Sequence, residues 1–177
     1  MEKDDLPVSS KQLLYLALLI FLPLALSAAV IHWAPPKPGQ TESDNLLAFG
    51  IVGAIATVLL GMLIIAAKRH VIEISRDALV VKHSLYTLAL DRSEVESAKA
   101  REVNSLDQLG LSTRKNGIAA FGYFSGWFWA AHGNITFCAL SRWPVYLVTF
   151  EGSTKCRQLA LSASPEVVRR IEVWANS

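Results

Sequence analysis

The sequence predicts an α+β membrane protein. A transmembrane helical hairpin is expected over residues 1–68, then an antiparallel β-barrel or sandwich capped by a carboxyl-terminal helix over residues 69–177. Three observations predict it. Two long uncharged apolar runs fill the first third of the chain. Beyond His70 the apolar residues recur with period two and many are β-branched. The carboxyl end returns to a helical period.

The apolar runs, residues 13–33 and 46–67, are 21 and 22 residues long and hold no Asp, Glu, Lys or Arg. At ~1.5 Å rise per residue each extends roughly 31–33 Å, the thickness of a bilayer core. Buried helices of that length in soluble proteins carry a polar face. Here Ser27, Thr57 and the terminal His32 are the hydrophilic exceptions. A cleaved leader is the rival reading of the first run, and Ser27-Ala28-Ala29 resembles a cleavage site. Against it, residues 1–11 set Glu2, Asp4 and Asp5 against Lys3 and Lys11, and the run outlasts the ~7–15 apolar residues of a leader.

Residues 34–45 contain Pro35, Pro36, Pro38 and Gly39, which stop helices and turn the chain. Lys37 is the one base in that loop, whereas Lys11 precedes the first run and Lys68, Arg69, Arg76 and Lys82 follow the second. The positive-inside rule then predicts a multi-pass protein of a cell's inner membrane with both termini cytoplasmic. Trp33 is placed for the membrane interface, and Pro23 is expected to kink the first helix. In the second run Gly53, Thr57 and Gly61 recur every four residues and share one face. Such a face permits close helix contact. Packing against the first run is the simpler expectation, and homo-oligomerisation the functional one. No ionisable residue sits at mid-depth, which argues against a proton or ion pathway.

In the second part, Val71, Ile72 and Ile74 form a first strand and Arg76-Asp77 a turn. Strands are expected at residues 78–83, 86–90 and, more polar, 95–103. Residues 104–116 lack a clean period and read as a loop in which Leu106, Leu109 and Leu111 tuck inward. An aromatic, glycine-punctuated stretch, 121–131, precedes a turn at His132-Gly133-Asn134. Residues 135–140 and 145–150 read as a strand pair around Ser141-Arg142-Trp143-Pro144. Glu151-Gly152-Ser153 then turns the chain into a last strand at 156–161. Ser164 is an N-cap with Pro165 at the first helical position, and Val167, Val168, Ile171 and Trp174 form one apolar stripe. That helix is expected across an open end of the strand barrel.

About seven short antiparallel strands and a closing helix is a pleckstrin-homology (PH) order. The motifs are Asn116-Gly117 read as a turn, Gly122-Tyr123, Gly126-Trp127-Phe128, and Gly133 leading into Ile135–Leu140. Val145-Tyr146-Leu147 and Leu161-Ser162 before Pro165 complete them. With these the chain resembles the bacterial PH-domain membrane proteins, over most of residues 46–172. The resemblance implies a transmembrane hairpin joined to a PH-like domain. It does not carry inositide binding, because the loop that is basic in the eukaryotic sites is here only Arg76-Asp77.

The net charge of +2 argues against a nucleic-acid partner. From Lys68 onward there are fourteen Lys/Arg against ten Asp/Glu, a balance of +4 that suits solubility or a nearby anionic membrane lipid. The two cysteines, Cys138 and Cys156, have no CxxC or metal-ligand spacing and are expected to be buried hydrophobes. His32, His70, His83 and His132 are scattered. His132 and Cys138 lie six apart with no third orienting group, and there is no GxSxG, HExxH or Walker pattern. No catalytic, cofactor or metal residue is therefore predicted.

The unusual feature is the aromatic run Phe121, Tyr123, Phe124, Trp127, Phe128 and Trp129, directly after Arg114 and Lys115. Alternation sets Trp127 and Trp129 on one face and Phe128 on the other. A strand buried on both sides is the plain reading. An exposed lip touching lipid or a partner is the functional one. The functional expectation is a membrane-anchored binding or scaffolding module that is not an enzyme. Its candidate contacts are Lys68, Arg69, Arg114, Lys115, Trp127 and Trp129, and its candidate helix-packing residues Gly53, Thr57 and Gly61. An accessory subunit or small multimeric channel component is the alternative, and a membrane-bound enzyme using His132 or Cys138 ranks behind both.

Overall fold

The computed structural model describes residues 2–6, 10–33, 42–120 and 122–177. The expected connecting loop falls mostly outside them. The chain divides into two compact units. One combines Met1–Ser9 with Ala66–Ser177, and the other is Ser10–Ile65.

The second unit is helical, with α1 at Ser10–Trp33 and α2 at Glu42–Lys68. Within α2, Leu46–Lys68 is long and apolar enough to cross a bilayer, whereas the described apolar stretch of α1, Ala17–Trp33, is shorter. Pro23 lies inside α1, and the Ser27 hydroxyl donates to its carbonyl at 2.9 Å. Among the described side chains of both helices, only Ala66 is buried, and the others are intermediate or exposed.

The first unit is α+β. Strand β1 is Glu2–Asp5, β2 His70–Ile74, β3 Ala78–His83 and β4 Tyr86–Asp91. They form a four-stranded antiparallel sheet in chain order. Then come β5 at Ser97–Val103, β6 at Leu111–Ala120, β7 at Tyr123–Ala130, β8 at Ile135–Leu140, β9 at Val145–Glu151 and β10 at Gln158–Ser162. These form a second sheet in the order β5-β9-β10-β8-β7-β6. The helix α3, Pro165–Asn176, ends the chain's regular structure.

Four expectations need correction. Strand β1 was not anticipated, because Glu-Lys-Asp-Asp has no apolar alternation. It joins the sheet by backbone pairing with β2. Residues 111–116, expected as loop, belong to β6, where two register shifts against β7 break the period. The Asn116-Gly117 turn does not form. Gly117 pairs with Gly126 inside the β6–β7 ladder, and the chain reverses beside Gly122. Finally, β8 and β9 do not pair. Strand β10 lies between them, antiparallel to β9 and parallel to β8, so the second sheet is not purely antiparallel. Ser162 helps to hold this crossing. Its hydroxyl accepts from the Ser141 and Arg142 amides at 3.0 and 3.2 Å.

The main core lies between the two sheets and α3. Ile72, Leu79, Val81, Leu88 and Leu90 of the first sheet meet Phe137, Val148, Phe150, Leu159 and Leu161 of the second. The stripe Val167, Val168, Ile171 and Trp174 closes it as the sequence predicts. Burying a side chain such as Ile171 contributes about 1.5–3 kcal/mol. A smaller cluster, including Phe128, Cys138, Leu140, Val145 and Leu147, packs on the other face of the second sheet. Burial on both faces explains why β8 to β10 read as almost continuous apolar runs.

The closing helix lies along the edge strand β5. Asn176 brackets Ala98, accepting from its amide and donating to its carbonyl, both at 3.1 Å. Glu172 accepts from the Ala100 amide at 2.7 Å. Side chains thus satisfy backbone groups that would otherwise invite strand addition.

Candidate functional site

The aromatic hairpin β6–β7 gathers most of the predicted contact residues. Its register shifts leave Ser112 and Lys115 without a directly opposed partner, the pattern of a β-bulge. A bulge re-aims a side chain, and the Lys115 ammonium lies 5.0 Å from the centroid of the Trp129 ring. This cation–π contact joins two residues singled out in the sequence. Trp129 is 37% exposed. Arg114, opposite Phe128, is exposed on the same hairpin.

Trp127 is different. It is half-buried against the main core, with its ring edge-on to Phe137 at 5.0 Å. Phe128 is buried in the second cluster and Phe124 packs edge-on to it at 5.7 Å. The run is therefore mostly a doubly covered strand, with an open end only at Trp129. Phe121 lies outside the described residues.

Lys68 ends α2, and Arg69 donates to the Thr87 hydroxyl of β4 at 2.8 Å. On α2 a Cβ built at Gly50, Gly53 or Gly61 meets nothing within 4 Å among the described residues. Thr57 is exposed and donates its hydroxyl to the Gly53 carbonyl at 2.9 Å. Among the described residues the Gly53–Thr57–Gly61 face is open.

The groups considered for catalysis are arranged otherwise. Cys138 and Cys156 are free thiols, both fully buried. Burial pushes the Cys138 thiol far above its ordinary range, and Cys156 is pushed up to about 12 for the same reason. Both are therefore neutral and poorly nucleophilic. The side chain of His132 lies outside the described residues. Among the described residues no group of three or more His, Cys, Asp or Glu could hold a metal ion.

Two features escaped the sequence reading. One is a groove of about 520 Å³ lined by Asp4, Asp5, Leu6, Arg142, Trp143 and the start of α3. It depends on β1, which carries no sequence signal. The other is a buried pair of imidazoles, His70 on β2 opposite His83 on β3, with ring centroids 4.4 Å apart. A signal for it existed. A hairpin turning at Arg76-Asp77 pairs residues equidistant from the turn, which sets these two histidines opposite each other.

This chain matches no known protein family, no curated protein and no solved structure.

Proposed function

We propose that the chain is a membrane-anchored binding or scaffolding module. Its helices assemble with a second copy or another membrane protein, and its β domain presents a surface beside the bilayer. The carrying observation is the open Gly53–Thr57–Gly61 face of α2, on which no described residue of this chain packs. In lipid, where apolar burial drives little association, such close-packing faces supply the contact.

The two-span reading draws support from connectivity. Strands β1 and β2 are neighbours in one sheet, with the Leu6 amide donating to the His70 carbonyl at 2.8 Å. A chain that leaves a folded sheet after Leu6 and rejoins it at His70 crosses a bilayer an even number of times. With α2 crossing, α1 is the second crossing. The positive-inside bias then puts β domain and amino terminus together on the cytoplasmic side. The domain is read as PH-like on its four-strand meander, second sheet and closing helix. The parallel β8–β10 pair departs from the all-antiparallel expectation.

A second reading concerns the lipid surface. Arg114, Lys115 and Trp129 form an exposed basic-aromatic patch at the end of the hairpin away from its turn, suited to anionic headgroups.

The test is disulfide cross-linking in native membranes. Single cysteines at Gly53 or Thr57 are expected to cross-link between copies or to a co-purifying membrane protein, and one at the exposed Val58 is not. Gly53→Leu with Gly61→Leu is expected to abolish the cross-link. A protein strictly monomeric in mild detergent, with no partner and no face-specific cross-link, overturns the proposal.

A further inference from the structure

The imidazoles of His70 and His83 are the least accounted-for groups in the fold. Their exposures are 4% and 0%, and among the described residues none of their four ring nitrogens has a hydrogen-bond partner. His70 is edge-on to His83, and His83 stacks on Tyr123 with centroids 5.2 Å apart. The Ala66 carbonyl, in the last turns of α2, lies near enough to favour a proton on His70 without reaching hydrogen-bond geometry.

Among the described residues, what surrounds the pair is neutral or cationic. Strand β7 supplies Tyr123 and Ser125, the latter donating to the His83 carbonyl at 2.7 Å. The β3–β4 turn supplies Ser84, and β4 supplies Tyr86, next to Tyr123. Burial raises the Tyr123 phenol, so it stays neutral. Arg69, adjacent in sequence, is a cation held by Thr87. The nearby acids sit elsewhere. Glu73 and Lys82 bond each other at 3.0 Å, and by strand alternation they face away from His70 and His83. Asp5 is opposite Val71 and shares its face, again the other side. Just after β1, Leu6 meets His70 through its amide.

We propose that His70 and His83 form an acid-sensitive latch. Neutral, they pack β2 on β3 where the chain emerges from α2. Taking up a proton, either ring becomes a cation buried without a counter-ion, and β2 loosens from β3. The proton comes from solvent, and no bond other than N–H forms. The inference stands on the sheet alone and does not depend on the proposed function.

The sign follows from burial. Both imidazoles are held below the ordinary 6.5, His83 well below, by desolvation, and a charged His70 further disfavours a proton on His83. The unfolded chain therefore binds more protons as pH falls through about 6.5, and the neutral packed state loses stability there. Each unit of proton affinity is worth about tenfold in the opening equilibrium.

The experiment is hydrogen exchange on the full-length protein in lipid nanodiscs at pH 7.5 and 5.5, corrected for intrinsic exchange. Amides of residues 70–83 are expected to lose protection by about tenfold or more, while those of β9 and β10 change less. His83→Phe and His70→Phe are expected to reduce that pH dependence. Should either variant fold poorly, imidazole NMR titration of the wild-type protein decides. His70 and His83 resonances, assigned against His32→Gln and His132→Gln, are expected to titrate below 6.5. Midpoints at or above 6.5, or protection independent of pH, overturn the proposal. So does a stoichiometric transition metal released by His83→Gln, because the pair would then be ligands.

Discussion

Arg170 on the closing helix forms an ion pair with Asp4 on the first strand, 166 residues earlier in the chain. The same guanidinium also pairs with Glu2. The contact ties the amino terminus to α3 across the sheet that β1 joins. The Arg170 and Asp4 side chains are 22% and 28% exposed, so the pair is partly shielded from water.

Arg170→Met is expected to leave the core intact and lower stability by about 1 kcal/mol. Its sharper effect is local. The Leu6 amide and the β1-facing amides of β2 should exchange faster, because the Glu2 and Asp4 carboxylates of β1 lose their anchor on α3. Hydrogen exchange with mass spectrometry reads this directly. Unchanged protection of β1 would mean that backbone pairing alone holds the strand.

The closing helix offers a graded test. Ile171 is fully buried, and Ile171→Ala is expected to cost about 2–5 kcal/mol through lost burial and a cavity. Ser164 caps the helix, its hydroxyl accepting from the Val167 amide at 3.4 Å. Ser164→Ala is expected to cost about 1 kcal/mol. Chemical denaturation of both variants should preserve this order.

Gly126 and Gly133 both have positive φ, +109° and +73°, yet they predict different outcomes. A Cβ at Gly126 would sit 2.6 Å from the Asn116 carbonyl and 2.8 Å from Gly117 Cα. Both are backbone atoms in the paired strand and cannot swing aside. Gly126→Ala is expected to cost about 3 kcal/mol or more, from strain and clash together. A Cβ at Gly133 meets nothing within 4 Å, so Gly133→Ala bears only the left-handed backbone cost, about 1–2 kcal/mol. Paired thermal melts of the two variants check the difference.

These positions also explain what the sequence made legible. The α3 stripe, the β2–β3 turn and the Ile135–Leu140 strand each carry a local signal: a cap with a helical period, a polar turn, an apolar run. Strand β6 was lost because its two bulges erase the alternation that marks a strand. The β8–β10 parallel pair was lost because strand partners are chosen by the whole core, while a short connection such as 141–144 suggests a hairpin. Of the candidate contacts, Lys115 and Trp129 come together only through a bulge, which no periodicity reports.

The buried thiols predict an alkaline limit. In the unfolded chain Cys138 and Cys156 lose their protons near 9, whereas in the fold both stay protonated well beyond that. Above about pH 9 the unfolded state therefore binds fewer protons, and stability falls as pH rises toward 12. At pH 8 both thiols should resist a maleimide in the folded protein and react once denaturant is added. Prompt labelling of either cysteine under native conditions would contradict their burial.

Trp129 and Trp127 separate surface function from folding within one strand. Trp127 packs on Phe137 and the main core, so Trp127→Ser is expected to cost about 3 kcal/mol, and any loss of binding would follow from the damaged fold. Trp129 has one named contact, the Lys115 ammonium, which contributes about 0.5–1 kcal/mol at an exposed site. Trp129→Ser should therefore fold and insert like wild type. If the Lys115–Trp129 patch touches anionic lipid, Trp129→Ser and Lys115→Ser should each weaken cosedimentation of the protein with phosphatidylserine vesicles, and added salt should weaken Lys115's share more than Trp129's. The comparison is best made in reconstituted proteoliposomes, by tryptophan fluorescence as anionic lipid is increased. A blue shift in wild type that Trp129→Ser removes and Trp127's signal does not replace would place the contact at that ring. No shift at any lipid composition would leave Lys115 and Trp129 as a purely intramolecular pair.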